Sequence, residues 1–185
     1  MRIIDIMKDV AVILGLNNVY ADIDAIDLDS DNIVLTEDLE TLFNLCRVSI
    51  QEFCTNYAPV IDSIKISTTN KKYALNKIDN FLKLKKISLN GEDVKAKIRS
   101  RNIEVDKDGE YDVLYYTYPN IDSITDDIDF LSSFTPDVLI SSACAYWSLS
   151  HGQYADFNKF HEDYLKKANA IKDLRVFNMP QRRWE

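Results

Sequence analysis

The chain has 185 residues, of which 46% are hydrophobic and 28% charged, and this predicts one soluble globular domain over residues 1–185. No apolar run approaches the roughly 20 residues of a membrane span, and charged residues interrupt the first ten positions, so we expect neither membrane association nor a secretory signal. The net charge of −8 is unfavourable for a general nucleic-acid binder, because phosphate contacts need Lys and Arg, but it suits the wall of a DNA conduit.

Residues 1–58 predict a helical segment. Apolar residues recur at helical spacing from Ile3 to Leu14, and Gly15 stands where a C-terminal cap belongs. A short second helix is expected after Asn17. A longer helix is predicted from Thr36, acting as its N-cap, to Tyr57.

An acidic loop before the third helix resembles an EF-hand calcium loop. Its candidate ligands, at positions 1, 3, 5 and 12 of a twelve-residue loop, are Asp27, Asp29, Asp31 and Asp38. Two departures count against calcium: Asn32 replaces the usual glycine, and Asp38 replaces the bidentate glutamate. The alternative is an acidic surface loop leading into a helix whose first turn holds Glu37 and Asp38.

Residues 60–119 change to the two-residue period of strands and predict an antiparallel β-meander. Asn90-Gly91 is the dipeptide that favours a tight hairpin turn, and a strand is expected on its far side from Val94 to Ile98. The meander holds a cluster of basic residues: Lys83, Lys85, Lys86, Lys95, Lys97, Arg99 and Arg101. Because the tyrosines cluster on the last strand instead of interleaving with these residues, we expect a solvated sheet face and not a nucleic-acid platform.

Residues 135–174 predict a helical pair, with Thr135 as the cap, Pro136 at the first helical position and a break near Gly152. The fold class is therefore α+β: an N-terminal helical pair and a long C-terminal helical pair packed with a small antiparallel sheet. Residues 175–185 predict an interaction tail, since exposed aromatic and arginine side chains are typical of interfaces. Its candidate interface residues are Phe177, Met179, Pro180, Arg182, Arg183 and Trp184.

Motifs for catalysis are missing. The chain has four glycines and no glycine-rich phosphate loop, and it has no HExxH or CxxC pair. His151 and His161 are expected to be polar helix positions, and the cysteines Cys46, Cys54 and Cys144 to be small core residues. We expect no enzyme and no cofactor.

Three parts of the chain, in this order, carry a family resemblance. The first is a short helix ending in Leu-Gly at Gly15, followed by a longer helix, and the second is an aromatic strand plus proline from Val113 to Pro119. The third is a helical pair with the pattern Pro136, Asp137, Leu139, Ala143, Tyr146, Gly152, Ala155, Asn158 (with Phe157 supplying the aromatic one place early), Tyr164 and Ala168. This arrangement resembles the head-to-tail connector, or neck adaptor, proteins of tailed bacteriophages, including the tail-tubular group of short-tailed phages.

The resemblance implies a structural virion protein that assembles in the host cytoplasm. It implies a cyclic homo-oligomer, usually a dodecamer, docked beneath the portal and joined to tail or neck proteins, with double-stranded DNA only as passing cargo. The acidic loop over residues 27–38 and the length of the meander have no match in the family. Two alternatives remain open: a calcium-binding or other protein-interaction module, and an unrecognised enzyme or nucleic-acid-binding protein.

Overall fold

The structure is a computed structural model that describes residues 1–28, 34–128 and 136–177, with side chains described as far as residue 171. Its helices and antiparallel sheets confirm the predicted α+β class. The chain divides into two compact units. We call Met1–Ala58 with Ile121–Glu185 the helical unit, and Pro59–Asn120 the β unit. The organisation of residues 1–185 as a single domain stays a prediction.

Five helices form the described part of the helical unit. They are α1 (Ile3–Leu14), α2 (Asn17–Asp24), α3 (Glu37–Asn56), α4 (Asp137–Ser150) and α5 (Tyr154–Phe177). The apolar spacing read from the sequence explains most of the core, because most side chains at those positions are buried, although Ile13 and Tyr154 are exposed. Helix α4 packs against α1, α3 and α5, and it is the most completely buried of the five.

Two helix ends follow their predicted chemistry. Gly15 has a φ of 68°, and its N–H bonds to the carbonyl oxygens of Ala11 and Val12, so a left-handed glycine closes α1 as expected. Gly152 has a φ of 71° and lies between α4 and α5, which confirms the predicted break in the C-terminal helical pair.

Two predicted end positions need correction, and a third is confirmed without its expected hydrogen bond. Thr36 is the N-cap residue of α3 as predicted, but its hydroxyl donates to Asp22 Oδ2 at 3.3 Å and makes no side-chain cap bond. Pro136 is the N-cap of α4 and not its first residue, while Thr135 lies outside the described residues. Helix α5 continues through Phe177, so the first three residues assigned to the tail, 175–177, are helical. The helix continues this far because the segment contains Lys and Arg, which favour helices, and no proline before Pro180.

Two antiparallel sheets form the β unit. The strands are β1 (Val60–Ser67), β2 (Lys72–Ala74), β3 (Phe81–Leu89), β4 (Glu92–Asp93), β5 (Lys97–Arg99), β6 (Asn102–Glu104) and β7 (Glu110–Thr117). A four-stranded sheet has the order β1-β7-β3-β4, and a three-stranded sheet has the order β2-β6-β5.

The strand order is not that of a sequential meander. Strand β7 pairs with both β1 and β3, and it alternates buried and outward residues along its length, with Tyr111, Val113 and Tyr115 all buried, so one face of this sheet is covered. Asn90 and Gly91, with φ angles of 51° and 85°, form the predicted tight turn between β3 and β4. The predicted strand from Val94 to Ile98 is only partly right, since β4 ends at Asp93, the chain then crosses to the other sheet, and only Lys97 and Ile98 of this segment are in a strand, β5.

Candidate functional site

The predicted calcium loop is only partly covered by the structure. Asp29 and Asp31 lie outside the described residues. Asp27 follows α2, and Asp38 is exposed in the first turn of α3. Among the residues that are described, no three His, Cys, Asp or Glu side chains come together in a way that would hold a metal ion. The calcium site stays a prediction.

The predicted interaction tail is covered only at its start. Phe177 is the last residue of α5. The other five candidate interface residues, Met179, Pro180, Arg182, Arg183 and Trp184, lie outside the described residues. Their role as an interface therefore stays a prediction, now attached to the end of a helix.

A polar cluster that the sequence did not reveal joins α4 to α5. The Ser141 hydroxyl lies 2.7 Å from Asp163 Oδ2 and accepts a hydrogen bond of 2.9 Å from Lys167 Nζ. Lys167 Nζ also lies 2.6 Å from Asp163 Oδ2. The hydrogen bonds from Lys167, which has the larger effect, and from Ser141 lower the pKa of the Asp163 carboxyl below its ordinary value. The spacing of Asp163 and Lys167 predicts their ion pair, but Ser141 is too distant in sequence to be assigned to it.

The cluster has the residue types of a serine hydrolase site without the required proton acceptor. A lowered pKa makes Asp163 a weak general base for the Ser141 hydroxyl. Lys167 donates to both partners, so it does not take the proton from Ser141 in this arrangement. The geometry supports a link between two helices. Whether the chain is an enzyme is not tested by this geometry, and the absence of enzymatic activity stays a prediction.

Two of the cavities lined by described residues open on the helical unit. A cavity of about 200 Å³ lies beside the polar cluster, with an apolar wall of Ile13, Ile140, Cys144 and Phe160. It is smaller than the roughly 300–1,000 Å³ of most small-molecule sites. A second cavity, of about 430 Å³, has a mainly polar wall and lies at the stacked rings of Trp147 and His151. No group in its wall singles out one class of ligand.

The cysteines and histidines occupy structural positions. All three cysteines are buried. Burial raises the pKa of Cys46 far above its ordinary value and that of Cys144 to about 12, so neither supplies a thiolate nucleophile at neutral pH. His151 stacks on Trp147 with 4.3 Å between ring centroids, and His161 stacks on Phe157 with 5.2 Å.

The solvent-facing side of the four-stranded sheet combines lysines with exposed apolar residues. We call this surface the outer face and define it by the following residues of β1, β3 and β7: Ile61, Lys65, Lys83, Lys85, Lys86, Leu114 and Tyr116. Residues opposite one another in antiparallel strands lie on the same side of a sheet. Tyr116 is opposite Ile61 on one flank and Lys83 on the other, and Leu114 is opposite Lys86.

Strand pairing and a bulge bring the lysines of β3 to the tyrosine of β7. The register shifts between Leu84 and Lys86, which leaves Lys85 as an extra residue, and Lys85 Nζ lies 5.9 Å from the centre of the Tyr116 ring. The tyrosines and the basic residues are separate along the sequence, but the β3–β7 register places Tyr116 beside Lys83 and Lys85.

The two units carry opposite net charge. Residues 59–120 contain 12 Lys and Arg against 9 Asp and Glu, a net charge of +3. The rest of the chain contains 10 against 21, a net charge of −11. The overall value of −8 hides this division, which becomes visible only when the limits of the units are known.

No protein-family model matches the chain, and no curated protein matches it. None of the helices in the described ranges combines the length and apolar composition that a bilayer crossing requires.

Proposed function

We propose that this chain is a structural subunit of the neck of a tailed-bacteriophage virion, where copies of it form a ring between the portal and the tail. Its partners are other copies of itself, twelve to a ring as in the family it resembles, together with portal and tail or neck proteins. Assembly takes place in the host cytoplasm, and double-stranded DNA passes through the ring as cargo.

The opposite charge of the two units carries this proposal. In a ring, every subunit offers one surface to the preceding copy and a different surface to the next one. A chain with a unit of net charge +3 and a remainder of net charge −11 favours such unlike contacts, because like surfaces repel and unlike surfaces attract.

The acidic excess also suits a DNA conduit. Phosphates bind to surfaces that offer Lys and Arg, so a channel wall rich in Asp and Glu does not retain passing DNA. In the helical unit, exposed carboxylates outnumber cations on α2 and in the first turn of α3, where Asp22, Asp24, Glu37, Asp38 and Glu40 lie. We assign acidic surface of this kind to the channel or to contacts with the basic β unit of another copy.

The tail supplies the first test of the docking step. We expect a variant that ends at Phe177, which keeps α5 whole and removes Met179, Arg182, Arg183 and Trp184, to lose co-purification with the portal protein. The control is Arg182→Lys/Arg183→Lys, which keeps the charge and the length. Unchanged portal binding by the shortened chain contradicts the assignment of the tail.

A further inference from the structure

We infer that the outer face of the β unit is the surface on which a second copy of this chain docks through its acidic helical unit. This inference rests on the proposed ring and specifies one of its two contacting surfaces. Three observations support it: the outer face has an apolar centre, most of its lysines form no ion pair, and the helical unit of a second copy is acidic.

The centre of the outer face is apolar although it faces solvent. Ile61 is 47% exposed, and Leu114 and Tyr116 beside it on β7 are partly exposed. Tyr118, just beyond the end of β7, is 36% exposed. Contiguous aliphatic and tyrosine side chains of this kind are typical of the centre of a protein–protein contact.

Lysines surround this apolar centre, and most of them lack an acidic partner. Lys86 pairs with Asp93 at 2.7 Å. In the part of the chain that the structure describes, Lys65, Lys83 and Lys85 form no ion pair, and only Asp112 opposes Lys65 across the β1–β7 pair. Asp112 and Glu110 of β7 lie on the same side of the sheet, beside Lys65 and Ser67, and they leave Lys83 and Lys85 at the other end of the patch without a carboxylate opposite them. Cations in this position around an apolar patch favour a partner with exposed carboxylates.

The same face is a poor platform for nucleic acid. Bases bind by stacking on open aromatic rings. Lys85 already lies over the Tyr116 ring, and Ile61 and Leu114, which flank this tyrosine on the face, are aliphatic. The net charge of −11 on the rest of the chain repels phosphates as well.

The first turn of α3 is the matching acidic surface. Glu37, Asp38 and Glu40 are exposed there, and Asp22 of α2 lies next to Thr36, the N-cap residue. Among the described residues, none of these four carboxylates forms an ion pair. A second copy therefore supplies carboxylates that are as free as the lysines of the outer face.

The test is assembly on the portal protein, followed by native mass spectrometry and by titration of subunit binding. We expect Lys83→Glu/Lys85→Glu to weaken subunit–subunit binding by at least about tenfold, because it replaces attraction to the carboxylates of the next copy by repulsion. The matched control is Lys95→Glu/Lys107→Glu, which makes the same charge change on exposed residues of the β unit outside the outer face. Circular dichroism melting curves verify that each variant is folded.

A charge exchange identifies the occupant. We expect subunits with Glu37→Lys/Glu40→Lys to bind to Lys83→Glu/Lys85→Glu subunits more tightly than wild-type subunits do. Absence of this recovery overturns α3 as the acidic surface.

The outcomes separate the inference from the proposed function. If wild-type rings form and the outer-face variant assembles as the control does, the inference fails while the proposed function stands. If wild-type subunits form no ring on the portal, both fail. A gel shift of single-stranded DNA that the outer-face variant abolishes, together with normal assembly, also overturns the inference and assigns the face to nucleic acid.

Discussion

Two tyrosine hydroxyls in the helical unit differ in their hydrogen bonding. The Tyr146 phenol donates to Glu52 Oε2 at 2.6 Å, whereas the Tyr164 hydroxyl is buried and, among the described residues, has no hydrogen-bond partner. Burial, with Glu52 as the next cause, raises the pKa of Tyr164 above its ordinary value, so this phenol stays neutral at all moderate pH values. One hydroxyl stabilises the fold, and the other is a cost of burying a tyrosine ring between α3 and α4.

This contrast gives a paired prediction. Tyr146→Phe removes a hydrogen bond to a carboxylate and should lower the free energy of unfolding by about 1–2 kcal/mol. Tyr164→Phe removes an unpartnered hydroxyl and should leave it unchanged within about 1 kcal/mol, or raise it. Urea unfolding of the two variants and the wild type measures both values. A larger loss for Tyr164→Phe than for Tyr146→Phe would show that the Tyr164 hydroxyl has a partner.

At the scale of elements, the cluster of Ser141, Asp163 and Lys167 links α4 to α5 and makes this helical pair sensitive to acid. The pKa of Asp163 is lowered in the folded chain relative to its ordinary value of 3.8. The ionised carboxylate is thus stabilised by folding, and its contribution is present above that ordinary value. The contribution is lost as the pH falls through the lowered pKa of the folded state.

Asp163→Asn isolates this contribution. We expect the variant to melt at a lower temperature than the wild type near pH 7, by a small amount because Asp163 is 44% exposed and screened by solvent. The difference should shrink as the pH drops below 3.8, where the wild-type carboxyl takes up its proton. Melting curves between about pH 2 and pH 7 measure it, with Asp156→Asn at an exposed position of the same helix as control. A constant difference over this range contradicts the link.

Elements were predictable from the sequence where local rules decide them. The left-handed glycine at Gly15, the Asn90-Gly91 turn and the break at Gly152 all follow from preferences of one or two residues. The strand order was not predictable, because pairing β7 with β1 and β3 depends on contacts distant in sequence. The outer face was not predictable either, because a bulge at Lys85 and the β3–β7 register determine which lysines contact Tyr116.

At the scale of the whole molecule, the division of charge matters more than the net value. Composition alone predicts an acidic protein, and the limits of the two units reveal a basic unit within it. In the proposed ring, the contact between copies combines electrostatic attraction of unlike charged surfaces with an apolar centre. Added salt screens the electrostatic attraction but does not remove the apolar contact. Rings should therefore weaken but persist at high ionic strength.

The central claim is that copies of this chain form a closed ring on a portal. Cryo-electron microscopy of the chain co-expressed with the portal protein of the same virion tests it most directly. We predict a rotationally symmetric ring, coaxial with the portal, in which the outer face of each β unit contacts the helical unit of the next copy. A chain that stays monomeric and leaves the portal bare at saturating concentration would contradict the claim.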